Sequence, residues 1–311
     1  MSFSGKRQTV KNWGEDQLPN LAGRRYLITG GNSGIGLEAA KMLAVADADV
    51  IIACRDTGKA TAAVEALSGL GAGEIDSVTL DLASLDSVRT AAAEVSERYS
   101  SLDGLVNNAG IMQTPRRSTA DGFELQLGTN HLGHFLFAGL LYPLVKAAQG
   151  RITAVSSIAH KAGRMSFDDL MLDNGYTPTK AYTQSKLANM LFGLELARRL
   201  ESAGSPVMAN VCHPGYSATN LQSTGPEGVL NRIYKVLNTV AAQSAYRGAL
   251  PTVLAVAGDE ARAGEYYGPT GLGDTRGPVR NSAIARHARN ETDARKLWQL
   301  SEELVDFQWV L

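Results

Sequence analysis

The chain has 311 residues, of which 44% are hydrophobic, and 30 Lys and Arg against 31 Asp and Glu leave a net charge of −1. That much apolar residue supports one large core, and the even charge balance gives no electrostatic reason to expect nucleic acid or acidic lipid as a partner. Two cysteines, Cys54 and Cys212, exclude a disulfide framework and fit buried, reduced thiols in a cytoplasmic protein.

Residues 1–20 are polar, with Lys6, Arg7 and Lys11 and no apolar run behind them, so an N-terminal extension is expected rather than a signal peptide or anchor. An apolar run at 25–28 reads as the first strand. It leads into Thr29-Gly30-Gly31-Asn32-Ser33-Gly34-Ile35-Gly36 and then a helical pattern over 35–46. Strand, glycine turn and helix start, in that order, make a phosphate site, because free backbone N–H groups and the helix dipole converge there. Gly30 allows the tight turn, Gly34 lets backbone approach a pyrophosphate, and Gly36 lets the helix pack close to the sheet. Asn32, Ser33 and Ile35 belong to the same cradle. Taken alone, the glycine cluster also fits an ordinary corner between strand and helix.

The second strand, 50–54, ends in Cys54-Arg55-Asp56. NAD-binding units usually place an acid here for the ribose hydroxyls. Arg55 offers a forked cation suited to a 2′-phosphate, so NADP(H) is expected over NAD, with Asp56 still able to meet a ribose. After a helix over 57–68, a strand at 78–80 ends at Asp81-Leu82. The carboxylate there can accept from the adenine amino group or cap a helix, and Leu82 can cover a ring face. Ser84 is placed to cap the next helix, 84–98. The strand at 102–106 runs into Asn107-Asn108-Ala109-Gly110, where buried carboxamides require partners and the small Ala109 and Gly110 leave room for a ribose.

An apolar helix over 121–148 carries Asn130, a polar residue able to anchor a water. Its most apolar part, 132–145, holds His134, Gly139 and Pro143 and is too short to span a bilayer. The strand at 151–155 ends at Ser156-Ser157, where a hydroxyl can hold a substrate oxygen. An irregular stretch over 158–179 precedes a helix over 181–203 that bears Tyr182 and Lys186 at i and i+4, on one face. A free tyrosine titrates near ~10, and a neighbouring cation moves it toward the range of a general acid or base. A strand at 207–211, a Ser/Thr/Gly/Asn/Pro-rich stretch at 216–231 and an amphipathic helix at 292–306 complete the pattern. His131 and His134 lie three apart with no third ligand at metal spacing, so packing is expected and no metal site. The alternation predicts an α/β fold in one domain over 1–311: a doubly wound parallel sheet with helices on both faces and a substrate loop near 216–245.

Together these residues resemble the short-chain dehydrogenase/reductase family. Thr29, Gly30, Gly34 and Gly36 meet its T-G-x-x-x-G-x-G pattern, Asn107 to Gly110 its N-N-A-G, and Tyr182 and Lys186 its Y-x-x-x-K. The resemblance implies a Rossmann-type fold with Asn130, Ser157, Tyr182 and Lys186 as catalytic residues. Pro214-Gly215 followed by Thr219 looks like the segment that meets the nicotinamide. Tyr182 would exchange a proton with the substrate oxygen and Ser157 would polarise that oxygen. Lys186 would lower the Tyr182 pKa and hold the nicotinamide ribose, and Asn130 would hold a relay water. The stretches Ala53-Cys54-Arg55-Asp56, 130–135, 185–189 and His213-Pro214-Gly215 are similar to the retinol dehydrogenase-like and protochlorophyllide reductase-like branch. Two departures stand out: residues 1–20 lack the anchor of many retinol-active members, and two cysteines do not make the set associated with protochlorophyllide reduction. The resemblance implies a cytoplasmic NADP(H)-dependent carbonyl reductase or alcohol dehydrogenase acting on an apolar substrate of moderate size. A C=C reductase and a non-catalytic nucleotide sensor or scaffold are the alternatives. It also implies a homodimer through the helices of Phe135 and Tyr182.

Overall fold

The computed structural model describes residues 9–216 and 243–311. Its strands are β1 (Arg25–Thr29), β2 (Asp49–Cys54), β3 (Ile75–Thr79), β4 (Gly104–Asn107), β5 (Arg151–Val155), β6 (Met208–Cys212), β7 (Tyr266–Gly271) and β8 (Arg276–Asn281). They form one 8-stranded sheet in the order β3-β2-β1-β4-β5-β6-β7-β8. β1 to β7 pair in parallel, and β8 returns antiparallel along β7. The sheet is therefore parallel as expected except at this one edge. Sequence reading misses β7 and β8 because Pro269, Gly268, Gly271, Gly277 and Pro278 read as loop. Proline is tolerated at an edge strand, and here the register shifts between Pro269 and Gly271. β3 begins three residues before the expected strand because, at the opposite edge, Asp76 and Ser77 stay partly exposed.

The helices are α1 (Gly34–Val45), α2 (Thr57–Leu67), α3 (Leu85–Arg98), α4 (Gly133–Ala147), α5 (Pro178–Ser202), α6 (Ala245–Ala257) and α7 (Glu291–Leu304). A π turn, Gly128–Leu132, leads into α4. Asp56 and Ser84 cap α2 and α3 through the N–H groups of Lys59 and Ser87. Thr177 caps α5 and Pro178 opens it, where a missing N–H costs nothing. α6 escapes sequence reading because Pro251 interrupts it and its residues from Gly248 to Ala257 are nearly all buried, so no polar face marks a helical period.

On one face of the sheet α1 packs against α6 through small residues, among them Ala39, Ala40, Ala249 and Val253. The other face is aromatic, with Phe135, Phe137, Phe192 and Trp298 in one cluster and Trp309 packed against it. A Cβ at Gly139 would collide with Phe307 and lie 3.0 Å from Trp309. The α4 face expected to meet a second copy is therefore covered by the chain's own residues 307–309.

Candidate active site

A cavity of about 1110 Å³ runs along the C-terminal ends of β1 to β5, at the point where strand order reverses between β1 and β4. Open α/β sheets bind ligands at this switch point. The volume exceeds the ~300–1,000 Å³ of ordinary small-molecule pockets and suits a dinucleotide with a substrate beside it.

The nucleotide end is built from backbone. Gly30 and Gly34 have φ of 67° and 55°, conformations that glycine adopts without strain. A Cβ at Gly36 would collide with the Gly30 carbonyl and sit 2.6 Å from Asn108 Nδ2. The Asn108 amide donates to Thr29 O at 2.7 Å, and Thr29 Oγ1 accepts from the N–H groups of Asn108 and Ala109 at 2.9 Å each. β1 and β4 are thus tied where the turn begins. Ser33, the N-cap of α1, makes no side-chain cap, which leaves the first N–H groups of α1 to a ligand. This open helix start and the glycine cradle fit a pyrophosphate. Asn32, Ile35, Ala109 and Gly110 line the same end.

Arg55 stands at the end of β2 with its side chain 76% exposed and Nη1 3.7 Å from Asp81 Oδ2. Asp56 is committed to capping α2, accepting from Lys59 N at 3.0 Å, with Lys59 Nζ 3.6 Å from its other oxygen. Lys59 also lines the cavity, a cation that sequence reading did not single out. Its signal was the spacing from Arg55, four residues on and in the first turn of α2. Asp81 does not cap a helix, since Ser84 caps α3; its Oδ1 accepts from Ala83 N at 3.0 Å in the turn before α3, and the residue lines the cavity. Leu82 lines the same wall, wedged so that a Cβ at Gly133 would lie 2.5 Å from its carbonyl oxygen. Asn107, 2% exposed, points neither side-chain atom at a partner.

At the other end, Thr179, Tyr182, Thr183 and Lys186 present one face of α5 to the cavity. Lys186 is 4% exposed and donates to Val155 O at 3.2 Å. Burial pushes its pKa down to about 8. Both serines border the cavity, but they differ in what their hydroxyls do: Ser156 is buried and donates to Lys186 O at 2.7 Å, whereas half-buried Ser157 caps the turn Ile158–Lys161 by accepting from Ala159 N at 3.2 Å and keeps its hydroxyl hydrogen for the cavity.

Asn130 is held by its own amide. Its Oδ1 accepts from Ile111 N at 2.8 Å, and its Nδ2 donates to Ile111 O and to Ser185 Oγ at 2.9 Å each. Both amide hydrogens are thereby used, while Oδ1 keeps a second lone pair. The amide fixes the loop after β4 to α5. A Cβ at Gly110 would lie 3.1 Å from Asn130 Oδ1 and 3.5 Å from Lys186 Nζ, so both residues border the space that Gly110 leaves.

Three buried histidines brace the cavity from behind. His134 Nδ1 lies 3.0 Å from Asn130 O, so that nitrogen carries the proton and Nε2 accepts from Thr29 Oγ1 at 2.8 Å. His160 Nδ1 donates to Ser157 O at 2.7 Å and Nε2 accepts from Ala285 N at 3.3 Å. His213 Nδ1 accepts from Gly215 N at 3.2 Å, which leaves Nε2 to donate to Ser282 Oγ at 3.1 Å. Burial pushes the first two down to about 4 and the third to about 3, so all are neutral struts. Among the described residues no cluster of metal-ligating side chains exists. Pro214 and Gly215 line the cavity, and Gly215 has φ of 70°. Thr219 and nearly all of the expected loop 216–231 lie outside the described residues.

The short chain dehydrogenase family model matches residues 24–228. Retinol dehydrogenase 14 of Mus musculus is 39% identical over 97% of this chain and 92% of its own length. Human retinol dehydrogenase 13 is 41% identical over 93% of this chain and 86% of its own. An uncharacterised protein from Mycobacterium paratuberculosis superposes with a TM-score of 0.82 at 40% identity, covering 97% of this chain and all of that one. A short chain dehydrogenase from Burkholderia cenocepacia, solved with NADP, gives a TM-score of 0.62 at 26% identity over 79% of this chain and 96% of that one. A family match across well over half of the chain, with the cradle, Ser157, Tyr182 and Lys186 on one cavity, settles the family: the chain belongs to the short-chain dehydrogenases, and within them it is similar to the retinol dehydrogenases.

Proposed function

We propose that this oxidoreductase uses NADP(H) to interconvert a carbonyl and an alcohol on a small substrate with a largely apolar body. The observation that carries the reading is one continuous cavity with Ser157, Tyr182 and Lys186 at one end and the cations Arg55 and Lys59 at the other. Two cations beside the second strand suit a 2′-phosphate, and the Burkholderia relative solved with NADP supports the same choice. Gly30, Ser33, Gly34 and Gly36 would hold the pyrophosphate, Asn108 to Gly110 the adjoining ribose, and Lys186 the nicotinamide ribose. The bound cofactor supplies or accepts the hydride.

In reduction, the Tyr182 hydroxyl gives its proton to the substrate oxygen as negative charge develops there, and in oxidation it takes that proton back. The Ser157 hydroxyl donates to the same oxygen, its position set by the turn it caps and by His160 on its carbonyl. The Lys186 ammonium stabilises the phenolate left behind. Both cysteines are free and buried, which supports a reducing compartment, the cytoplasm. Among the described residues no helix is long and apolar enough to cross a membrane.

Purified protein with NADPH and a panel of ketones, aldehydes and enones tests the reading. Carbonyl reduction that Tyr182→Phe abolishes supports it. Tight NADPH binding with no turnover would favour a nucleotide sensor, and enone C=C reduction without carbonyl reduction would favour the other alternative. Homodimer formation through α4 and α5 is read by equilibrium sedimentation. It would require residues 307–309 to leave the α4 face.

A further inference from the structure

Gln113 lies on the cavity wall with φ of 56°, the left-handed region, which a side chain of its size rarely adopts. Such strain persists where the surroundings over-determine it, and it gathers at functional sites. Here the surroundings are explicit. Gln113 N donates to Gln126 Oε1 at 2.9 Å, and Gln126 is fully buried. Gln126 Nε2 donates in turn to Tyr176 Oη and Pro178 O at 3.2 Å each, and its N–H donates to Glu124 Oε1 at 2.9 Å. A chain of buried polar groups thus holds one backbone in an unfavourable conformation beside the cavity.

The side chain has a defined remainder. Gln113 Oε1 accepts from Thr179 Oγ1 at 3.1 Å, so the oxygen is used and the two Nε2 hydrogens have no partner among the described residues. Thr179 also lines the cavity, one turn before Tyr182 on the same face of α5. Lys186, Tyr182 and Thr179 therefore form a polar row leading outward from Val155 O, where Lys186 is anchored. Met112 and Ile158 add apolar wall to the same cavity.

We propose that Gln113, steadied by Thr179, selects the substrate by donating from Nε2 to a second oxygen on it. The substrate class is then ketones or aldehydes that also carry a hydroxyl or a second carbonyl. Three residues of helix separate Thr179 from Tyr182, about 4.5 Å along the axis, which places the second oxygen about two or three carbons from the reacting one. This inference rests on the carbonyl-reductase reading above.

Steady-state rates with NADPH on 2-octanone and 4-hydroxy-2-octanone test it in the wild type, Gln113→Met and Gln113→Gly. Methionine keeps the length without the donors, and glycine accepts the left-handed backbone freely, which protects folding. The wild type should favour the hydroxyketone in kcat/KM by about tenfold, the worth of one good hydrogen bond, and both variants should bring that ratio near one through KM. An even wild-type ratio, or a preference that survives in both variants, overturns the assignment. Should the wild type reduce neither ketone, the wider panel above decides the hydride-transfer reading separately. Calorimetric Kd values for the two ketones on NADP⁺-loaded protein then decide Gln113 by the same ratio.

Discussion

At the nucleotide end of the cleft, positioning falls to glycines, to an uncapped helix start and to the Thr29 hydroxyl under two N–H groups. At the substrate end it falls to buried side chains: Gln126 behind Gln113, His160 behind Ser157, and Asn130 across Ile111 and Ser185. The first kind of construction needs particular residues because only they allow a backbone to come close. The second needs long-range partners, and any of several residue types can supply them. The nucleotide end is thus fixed by what is missing from its residues, and the substrate end by what its residues hold.

The largest effect that separates the two ends is chemical. Tyr182→Phe should lower kcat by ~10²–10⁴-fold, the usual worth of a positioned proton donor, while NADPH binding measured by fluorescence barely changes. Lys186→Met should cost comparable turnover and yet raise Tm at pH 7. Burial pushes this lysine down to about 8, so below that pH the folded apo-protein carries a buried charge that the unfolded chain solvates. Val155 O keeps its bond from Asn189 Nδ2 at 3.1 Å when the lysine is gone. Melting curves of the two apo-proteins check it, and an unchanged or lower Tm would count against the buried charge.

Acid should attack both ends together. His131, His134, His160 and His213 are all pushed by burial to about 3 or 4. Their stabilisation is present above the unfolded value near ~6.5 and is lost as pH falls toward about 4, because the unfolded chain then binds protons that the fold refuses. Each group contributes a slope of up to ~1.4 kcal/mol per pH unit in that window. Melting at pH 7, 6 and 5 should show a steepening fall, and a flat profile would mean that the rings are hydrated.

Gly36→Ala targets the backbone end alone. The added methyl has the Gly30 carbonyl in its way, so a loss of ~1–3 kcal/mol in denaturant unfolding and a marked loss of NADPH affinity are expected. Smallest is the choice between nucleotides. Arg55→Ala should weaken NADPH by about tenfold and leave NADH nearly unchanged, with Lys59→Ala adding a smaller loss of the same sign. Equal losses for both nucleotides would remove the 2′-phosphate role.

How far the sequence alone revealed this molecule follows the same division. Gly30, Gly34, Gly36 and Asn108 to Gly110 were legible because close approach leaves few residue choices, and β1, β2, β4, β5 and β6 because buried parallel strands are apolar throughout. Ser157, rather than Ser156, followed from family resemblance. The contact of Ser156 with Lys186 O across 30 residues supplies the physical reason. Gln113 and Gln126 gave no signal, since their meaning lies in partners such as Thr179, 66 residues from Gln113. Asn130 was noticed for the right reason, a polar residue amid apolar ones, but its partners could not be read without the loop after β4. β7, β8 and α6 were hidden by prolines: Pro269 sits at a register shift in β7, Pro278 in the edge strand β8 and Pro251 inside a buried helix.

The packing around His213 constrains how this chain can change over time. The His213 ring that steadies Gly215 rests against Gly268, where any Cβ would enter the ring itself. Drift at position 268 is closed for as long as position 213 holds an imidazole. Replacing His213 first opens that path but releases Gly215 from its strut, so the two positions can vary only in one order and through a weakened intermediate. A double-mutant cycle on His213→Ala and Gly268→Ala would display that history as a coupling in which the second change is harmless only after the first.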